Sequence, residues 1–264
     1  MAKFTHYLVT RFNVPVERWQ RDKSGHATLD DAWFDHRLDL FSTYCLPSVL
    51  HQTNQNFQWL IYCDQGISPS QLLKLSKLIA DETCFTIRMA DSLESMLADL
   101  RQLISQAGTP YVITSRLDND DAIAIDFIHD VQSHFKEEDK LLLHFDDGIA
   151  YDCIGRVATR MQTKVHNTFT SLVERTSAEM LTIYGFHHTA IPASVEIMHI
   201  PGGEHWLKVI HDRNLRSRLA GIPIQQIPGK KFGIDSYSLI RISWLNTMKY
   251  LMKRLGKNYF SKKR

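Results

Sequence analysis

The sequence predicts an α/β layer protein, and three features carry that prediction. Short apolar runs alternate with longer helix-like stretches through the first half. The 264 residues are 44% hydrophobic and 23% charged, the balance of a globular chain long enough to bury a substantial core. No Pro-, Gly- or Ser-rich linker divides the chain, so the expected organisation is one domain over residues 1–234 with a helical appendage over residues 235–264. Collagen, low-complexity disorder and a disulfide-framework miniprotein are excluded by the same profile.

His6 to Phe12 opens with a short β run. Asp30 to Tyr44 carries Trp33, Phe34, Leu38, Leu40 and Phe41 at mixed three- and four-residue spacing, which predicts a helix ending near Pro47. Phe57 to Cys63 is a second strand, and Asp64-Gln65-Gly66 turns the chain into a helix from about Pro69 to Ala80. Cys84 to Met89 is a third strand. Asp91, with Glu94 three residues on, reads as the cap of a helix reaching Gln106. Tyr111 to Leu117 is a fourth strand, followed by an acidic turn and a helix from Ile123 to Phe135. Beyond residue 140 the rhythm becomes more antiparallel: Leu141–Phe145, Ile149–Ile154, Val157–Met161 and Phe169–Val173 read as strands or hairpins. Residues 212–235 fit either a flap or an ordered connection. Ser236 to Leu255 places Ile240, Trp244, Leu245, Met248, Leu251, Met252 and Leu255 on one helical stripe.

Cys45, Cys63, Cys84 and Cys153 lie far apart, with no CxxC pair, and are expected as buried thiols in a reducing cytoplasm. The only apolar stretch in residues 1–14 is Tyr7 to Val9, too short for a secretion signal, and nothing approaches the ~18 apolar residues of a membrane span. Net charge is +2, but Lys249, Lys253, Arg254, Lys257, Lys262, Lys263 and Arg264 give the last sixteen residues seven cations and no acid. The rest of the chain is therefore net acidic, which argues against nucleic acid as a partner.

The segment Ser115-Arg116-Leu117-Asp118-Asn119-Asp120-Asp121 sets three carboxylates within four residues directly behind an apolar strand. Such crowding is self-repulsive unless a cation offsets it. The turn lies beyond the carboxyl end of its strand, where open α/β sheets bind ligands. Oxygen donors without nearby cysteine favour a hard ion, Mg²⁺ or Mn²⁺, over Zn²⁺. A solvated turn capping the next helix fits the same residues.

Four pieces in order resemble a known family: His6 to Asn13; Cys45-Leu46-Pro47-Ser48 with Gln52 to Phe57; Thr114 to Asp121; and Trp206 to Asn214. Together they are similar to the bacterial rhamnosyltransferases, a branch of the metal-dependent glycosyltransferases with the A-type nucleotide-binding fold. The resemblance spans most of residues 5–215. It implies a Rossmann-like mixed sheet flanked by helices and a DxD element, Asp118 and Asp120 with Asp121 beside them, holding Mn²⁺ or Mg²⁺ against a donor diphosphate. His211 matches a further metal or diphosphate ligand. Thr10, Arg11, Phe12 and Asp64 fall where relatives seat the base and ribose. Gln65 replaces a second aspartate of the related turn. Arg116 is positioned to pair with the diphosphate or to neutralise its acidic neighbours, and Asn119 belongs to the same turn.

An inverting transfer also needs a general base for the acceptor hydroxyl. Glu204, in the Gly-flanked loop after Pro201-Gly202-Gly203, is the first candidate, and Asp146 or Asp147 the second. The implied activity is transfer of a hexose, L-rhamnose from dTDP-rhamnose, onto a saccharide acceptor of a surface polysaccharide. The tail from Trp244 to Lys263 joins an apolar stripe to a cationic run, which suits either an anionic inner-membrane surface bearing a lipid-linked acceptor or packing on its own domain. Two alternatives remain at this level: nucleotidyl transfer on a related fold, although Thr10 to Pro15 lacks the glycines of its usual phosphate loop, and a non-catalytic membrane-tethered module.

Overall fold

Tyr7, Leu8 and Val9 are apolar on both faces, which suits the middle of a parallel sheet, and the chain uses them there. The structure, a computed structural model, describes residues 2–16, 30–79, 85–164, 167–214, 219–234 and 240–261. Its strands are β1 (Phe4–Arg11), β2 (Gln58–Asp64), β3 (Phe85–Ala90), β4 (Tyr111–Arg116), β5 (Ala122–Ile123), β6 (Leu141–Phe145), β7 (Asp147–Asp152), β8 (Val157–Gln162), β9 (Thr170–Arg175), β10 (Glu196–Ile200), β11 (Trp206–Ile210) and β12 (Ile222–Ile224). A seven-stranded sheet runs β10-β6-β9-β4-β1-β2-β3, with β1 to β4 parallel and β9 reversed; a five-stranded sheet runs β12-β8-β7-β11-β5. Helices α1 (Asp31–Leu40), α2 (Leu46–Leu50), α3 (Pro69–Leu78), α4 (Leu93–Ser105), α5 (Phe127–Ser133) and α6 (Trp244–Ser261) complete a mixed α/β architecture. The expected fold class is present.

Alternation along the central strands separates two cores. Leu8, Ile61 and Ile113 pack on one face with Phe34, Phe41 and Val49, while Val9, Leu60 and Val112 pack on the other with Met96, Leu100 and Ile104 of α4. The two sheets meet at Trp206, which stacks on Phe169 with ring centroids 5.0 Å apart and donates its indole N–H to the Phe145 carbonyl. Gly148 lies against that indole, so a Cβ there would come within 2.1 Å of the ring.

Several boundaries depart from the sequence reading, each for a physical reason. The first helix does not stop at Pro47: a π-turn over Phe41–Cys45 links α1 to α2, and Leu46 N–H reaches back to the Phe41 carbonyl. The wide turn accommodates a proline that cannot donate, so the helical run reaches Leu50. The cap of α4 is Ser92, whose hydroxyl accepts Ser95 N–H while Ser95 Oγ accepts Ser92 N–H; Asp91 instead accepts from both hydroxyls. Residues 122–123 form β5 against Trp206 and Leu207, delaying α5 to Phe127, because cross-strand pairing outweighs local propensity. Glu196–Ile200 and Ile222–Ile224 are strands that the sequence reading did not assign. Within the stretch read as flap or connection, residues 219–234 are a connection: β12 pairs with β8, and a 3-10 turn at Gly229–Phe232 buries Phe232. The last helix begins at Trp244, eight residues after Ser236, and residues 235–239 lie outside the described ones. Its start is docked: Ser243 N–H donates to the Arg156 carbonyl and Asn246 Nδ2 to the Gly155 carbonyl. Cys45 and Cys63 are buried and Cys153 is half-buried, all three as free thiols pushed up by burial, Cys63 to about 12 and Cys153 to about 11. Cys84 falls outside the described residues.

Candidate active site

Parallel pairing brings the carboxyl ends of β1, β2 and β4 to one sheet edge, with Val9 opposite Arg116 and Arg11 opposite Tyr62. The acidic turn leaves β4 there and forks. Asp118 turns back to Arg116, which grips it through Nε at 3.0 Å and Nη2 at 2.9 and 3.2 Å. Asp120 turns to the opposite side, where its Oδ2 meets Arg37 Nη1 of α1 at 2.5 Å, His211 Nε2 at 2.9 Å and Asn214 Nδ2 at 3.2 Å. Asn119 locks the fork: its Nδ2 donates to the Phe12 carbonyl and its Oδ1 accepts from Arg37. Asp121 Oδ1 accepts the Val209 N–H of β11, tying the turn to the second sheet.

These pairings set the charges. Burial pushes Asp120 upward, but Arg37 and His211 overcome it and hold the carboxyl well below the usual carboxylate range. Burial is the largest influence on Asp118 and pushes it up, but Arg116, Arg11 and Lys208 together hold it below its ordinary value. Asp121 goes the other way, raised by burial and then by Asp120. Burial lowers Arg11, which feels Tyr184, Arg116, Asp118 and Arg37. The Arg116 guanidinium lies 5.0 Å from the Tyr184 ring centroid. Three buried or half-buried arginines thus surround three carboxylates at one sheet edge.

Strand alternation sorts the N-terminal candidates. Thr10 is fully buried and its hydroxyl accepts the Trp59 indole N–H, and Phe12 packs between Phe34 and Phe41, so both side chains face the core. Arg11 sits on the opposite face with Val9. Asp64 closes its own turn by accepting Gly66 N–H, while Asn13 Oδ1 accepts the Asp64 N–H.

The two base candidates lie elsewhere. Glu204 pairs with Arg160, Nη2 to Oε1 at 2.7 Å, and Asp147 accepts the Gly202 N–H at 2.7 Å. Both stand at the amino end of β11, and His211 stands just past its carboxyl end. Seven residues of strand at ~3.3 Å each put Glu204 roughly 20 Å from His211. The structure does not bring Glu204 or Asp147 to the acidic turn, because a seven-residue separation in an extended segment is a long distance. Asp146 is buried beneath the imidazoles of His144 and His199, each with Nδ1 2.8 Å from its Oδ1.

Sequence reasoning missed His36 and Arg37. His36, His211 and Asp212 present ligand atoms within 4.8 Å of one another, and the His36 and His211 rings are 5.0 Å apart. No spacing rule points to residues on a helix more than eighty positions before the acidic turn. Lys208 of β11, whose charge acts on Asp118 and Asp121, was missed too.

The acidic, arginine-lined turn thus stands at the carboxyl edge of the sheet, where open α/β sheets bind ligands and where guanidiniums can meet phosphate. Residues 5–221 match the sequence model of the family described as "Putative rhamnosyl transferase". The chain belongs to that family. Among solved structures it is similar to TarS 1–349 of S. aureus, at 10% identity and TM-score 0.43 over 78% of this chain and 60% of that one. The same protein in complex with UDP-GlcNAc gives 10% identity and TM-score 0.45 over 78% and 58%. A "putative nucleotide-diphospho-sugar transferase" from Desulfovibrio desulfuricans G20 gives 10% identity and TM-score 0.43 over 80% and 83%. The chain thus spans about 60% of the TarS chain it matches. No curated protein matches it.

Proposed function

We propose that the protein transfers L-rhamnose from dTDP-rhamnose to a saccharide of a surface polysaccharide, with Mn²⁺ or Mg²⁺ as cofactor. The observation that carries this reading is the convergence of Asp118, Asp120, Asp121 and His211 with Arg11, Arg37 and Arg116 at the sheet edge. When a sugar leaves a nucleotide, negative charge grows on the diphosphate, and fixed cations lower that barrier. Asp120 Oδ2 and His211 Nε2 lie 2.9 Å apart with no thiolate beside them, and a carboxylate oxygen with an imidazole nitrogen suits a hard or borderline divalent ion. When bound, such an ion supplies Lewis-acid stabilisation of the departing diphosphate. Arg37 and Arg116 each already hold one carboxylate, so the ion would share them with the guanidiniums. Arg11 and Arg116 lie on the face that would meet the phosphates, and Asp64 caps the neighbouring strand end where the base and ribose would lie.

Docking on an anionic inner membrane surface extends the proposal to where the enzyme acts. No helix among the described residues is long and apolar enough to cross a membrane. Trp244, Leu245, Met248 and Met252 of α6 are nevertheless exposed, Trp244 at 70%, beside Lys249 and Lys253. That combination suits a helix lying in a lipid interface, which would confine the enzyme to the plane of a lipid-linked acceptor. Sedimentation of the full chain with phosphatidylglycerol vesicles at low salt, but not with phosphatidylcholine alone, is the expected result.

The donor reading is tested by thermal shift with UDP, dTDP and their sugars, with and without Mn²⁺. A ligand at a hundredfold excess over Kd stabilises the folded state by ~2.7 kcal/mol. A Mn²⁺-dependent shift, greatest with dTDP-rhamnose and lost in Asp118→Asn, supports the proposal; no shift with any nucleotide refutes it.

A further inference from the structure

The start of α6 is built the reverse of an ordinary surface helix, with its polar side docked. Asn246 Nδ2 donates to the Gly155 carbonyl, Ser243 N–H to the Arg156 carbonyl, and Thr247 is buried. At about 100° per residue, Leu245, Met248 and Met252 fall within an arc of roughly 60° opposite Asn246 and Thr247, and all three are exposed. The apolar stripe therefore faces away from the domain on which the helix rests. The turn that receives α6 carries an exposed apolar residue of its own. Ile154, 66% exposed, heads the connection from β7 to β8, whose shape is fixed by Asp152 Oδ1 accepting the amides of Ile154 and Gly155. Strand pairing locates that turn: β7 and β11 are parallel, Asp152 lies opposite Ile210, and Cys153 N–H donates to the Ile210 carbonyl, one residue before His211. The Ile154 turn, the start of α6 and the His211 side of the acidic fork thus share one end of the five-stranded sheet. Exposed Arg156, Arg241, Lys249 and Lys253 flank the apolar residues, against Asp152, which is spent on its turn, and exposed Asp212.

We propose that the Ile154 turn and the outward stripe of α6 form one surface that inserts into an anionic bilayer, and that this surface turns the His211 end of the site toward the membrane. The inference rests on the docking reading above and adds to it a second contact and an orientation. A single interfacial helix fixes depth but leaves the domain free to roll about the helix axis, and a second apolar contact beside the helix removes that freedom. Apolar insertion supplies one part of the attraction, and the cations around it, facing lipid phosphates, supply the other. With the carboxyl end of β11 at the bilayer, Glu204 and Gly202 at its amino end remain in water.

The test measures partition of the full chain onto phosphatidylglycerol vesicles, in the parent, Ile154→Ser and Met248→Ser, together with amide hydrogen exchange of the parent with and without vesicles. Each substitution is expected to weaken partition about 3–10-fold while leaving the melting temperature and the dTDP thermal shift unchanged, because both side chains are exposed. Vesicles should slow exchange in residues 153–156, 212–213 and 244–253 and leave residues 202–204 unchanged. Parental partition of Ile154→Ser, or slowing confined to 244–253, would overturn the composite surface and leave α6 docking standing. Slowing at 202–204 in place of 212–213 would overturn the orientation. A parent that ignores these vesicles, including one that instead forms a dimer weakened by Met248→Ser, would overturn this inference and the docking reading together, without touching the donor reading.

Discussion

The two ends of β11 carry similar residues in opposite settings. Past its carboxyl end, His211 and Asn214 join Arg37 around the Asp120 carboxylate, all of them buried. Before its amino end, Glu204 pairs with Arg160, whose side chain is 61% exposed. Both contain a carboxylate and a guanidinium at hydrogen-bonding distance, yet only the first is shielded from water, so only the first holds charges strong enough to shape chemistry. An ion pair reads as functional from its surroundings and its position on the sheet, and not from the identity of its partners.

The largest test of that contrast is Asp120→Ala. Removing one partner leaves Arg37 buried and uncompensated, so a cost of about 3–5 kcal/mol is expected in denaturant titration, along with loss of the Mn²⁺-dependent nucleotide shift. Part of this stability should titrate. Asp118 and Asp120 have folded values below their unfolded ones, so their contribution is full above the unfolded carboxylate range and is lost as pH falls through the folded values. Asp121 has the reverse sign, its ionisation opposing folding as pH rises. Melting temperature followed from about pH 6 to pH 2 should drop less steeply in Asp120→Asn than in the parent. Between the two ends, Gly148→Ala forces a methyl into the Trp206 ring and should cost about 1–3 kcal/mol by chemical denaturation, with the nucleotide shift retained. Glu204→Gln is the smallest: a change of about 0–1 kcal/mol and near-parental donor turnover, whereas loss of turnover would erase the distinction between the two ends.

What the sequence made legible follows the range of the interactions. The acidic turn and its strand are local, so Asp118, Asp120 and Asp121 could be found by reading consecutive residues. His211 was reachable through the resemblance to related enzymes, downstream of the acidic turn. Thr10 and Phe12 were placed with Arg11 as one unit, but alternation along an extended strand sends only the middle residue to the site face. Arg37 and His36 reach the sheet edge through packing of a helix remote in sequence, and no local pattern encodes that. The α4 cap was displaced by one residue because Ser92 and Ser95 satisfy each other's backbone groups, which leaves Asp91 outside as an acceptor.

The π-turn at Phe41–Cys45 has a consequence for the timing of side chains around the helix. One residue of α-helix advances the azimuth by about 100°, so inserting or deleting one within Phe41–Cys45 would swing everything on its amino side by that angle relative to α2. In the present phase Val49 beds into the core and Arg37 faces Asp120 along the same continuous rod. A shortened turn would keep Val49 seated and point Arg37 away from the acidic fork. The turn sets packing and charge together: a one-residue deletion there would carry Phe34 out of the core along with Arg37 out of the fork, and should cost stability as well as silence the site.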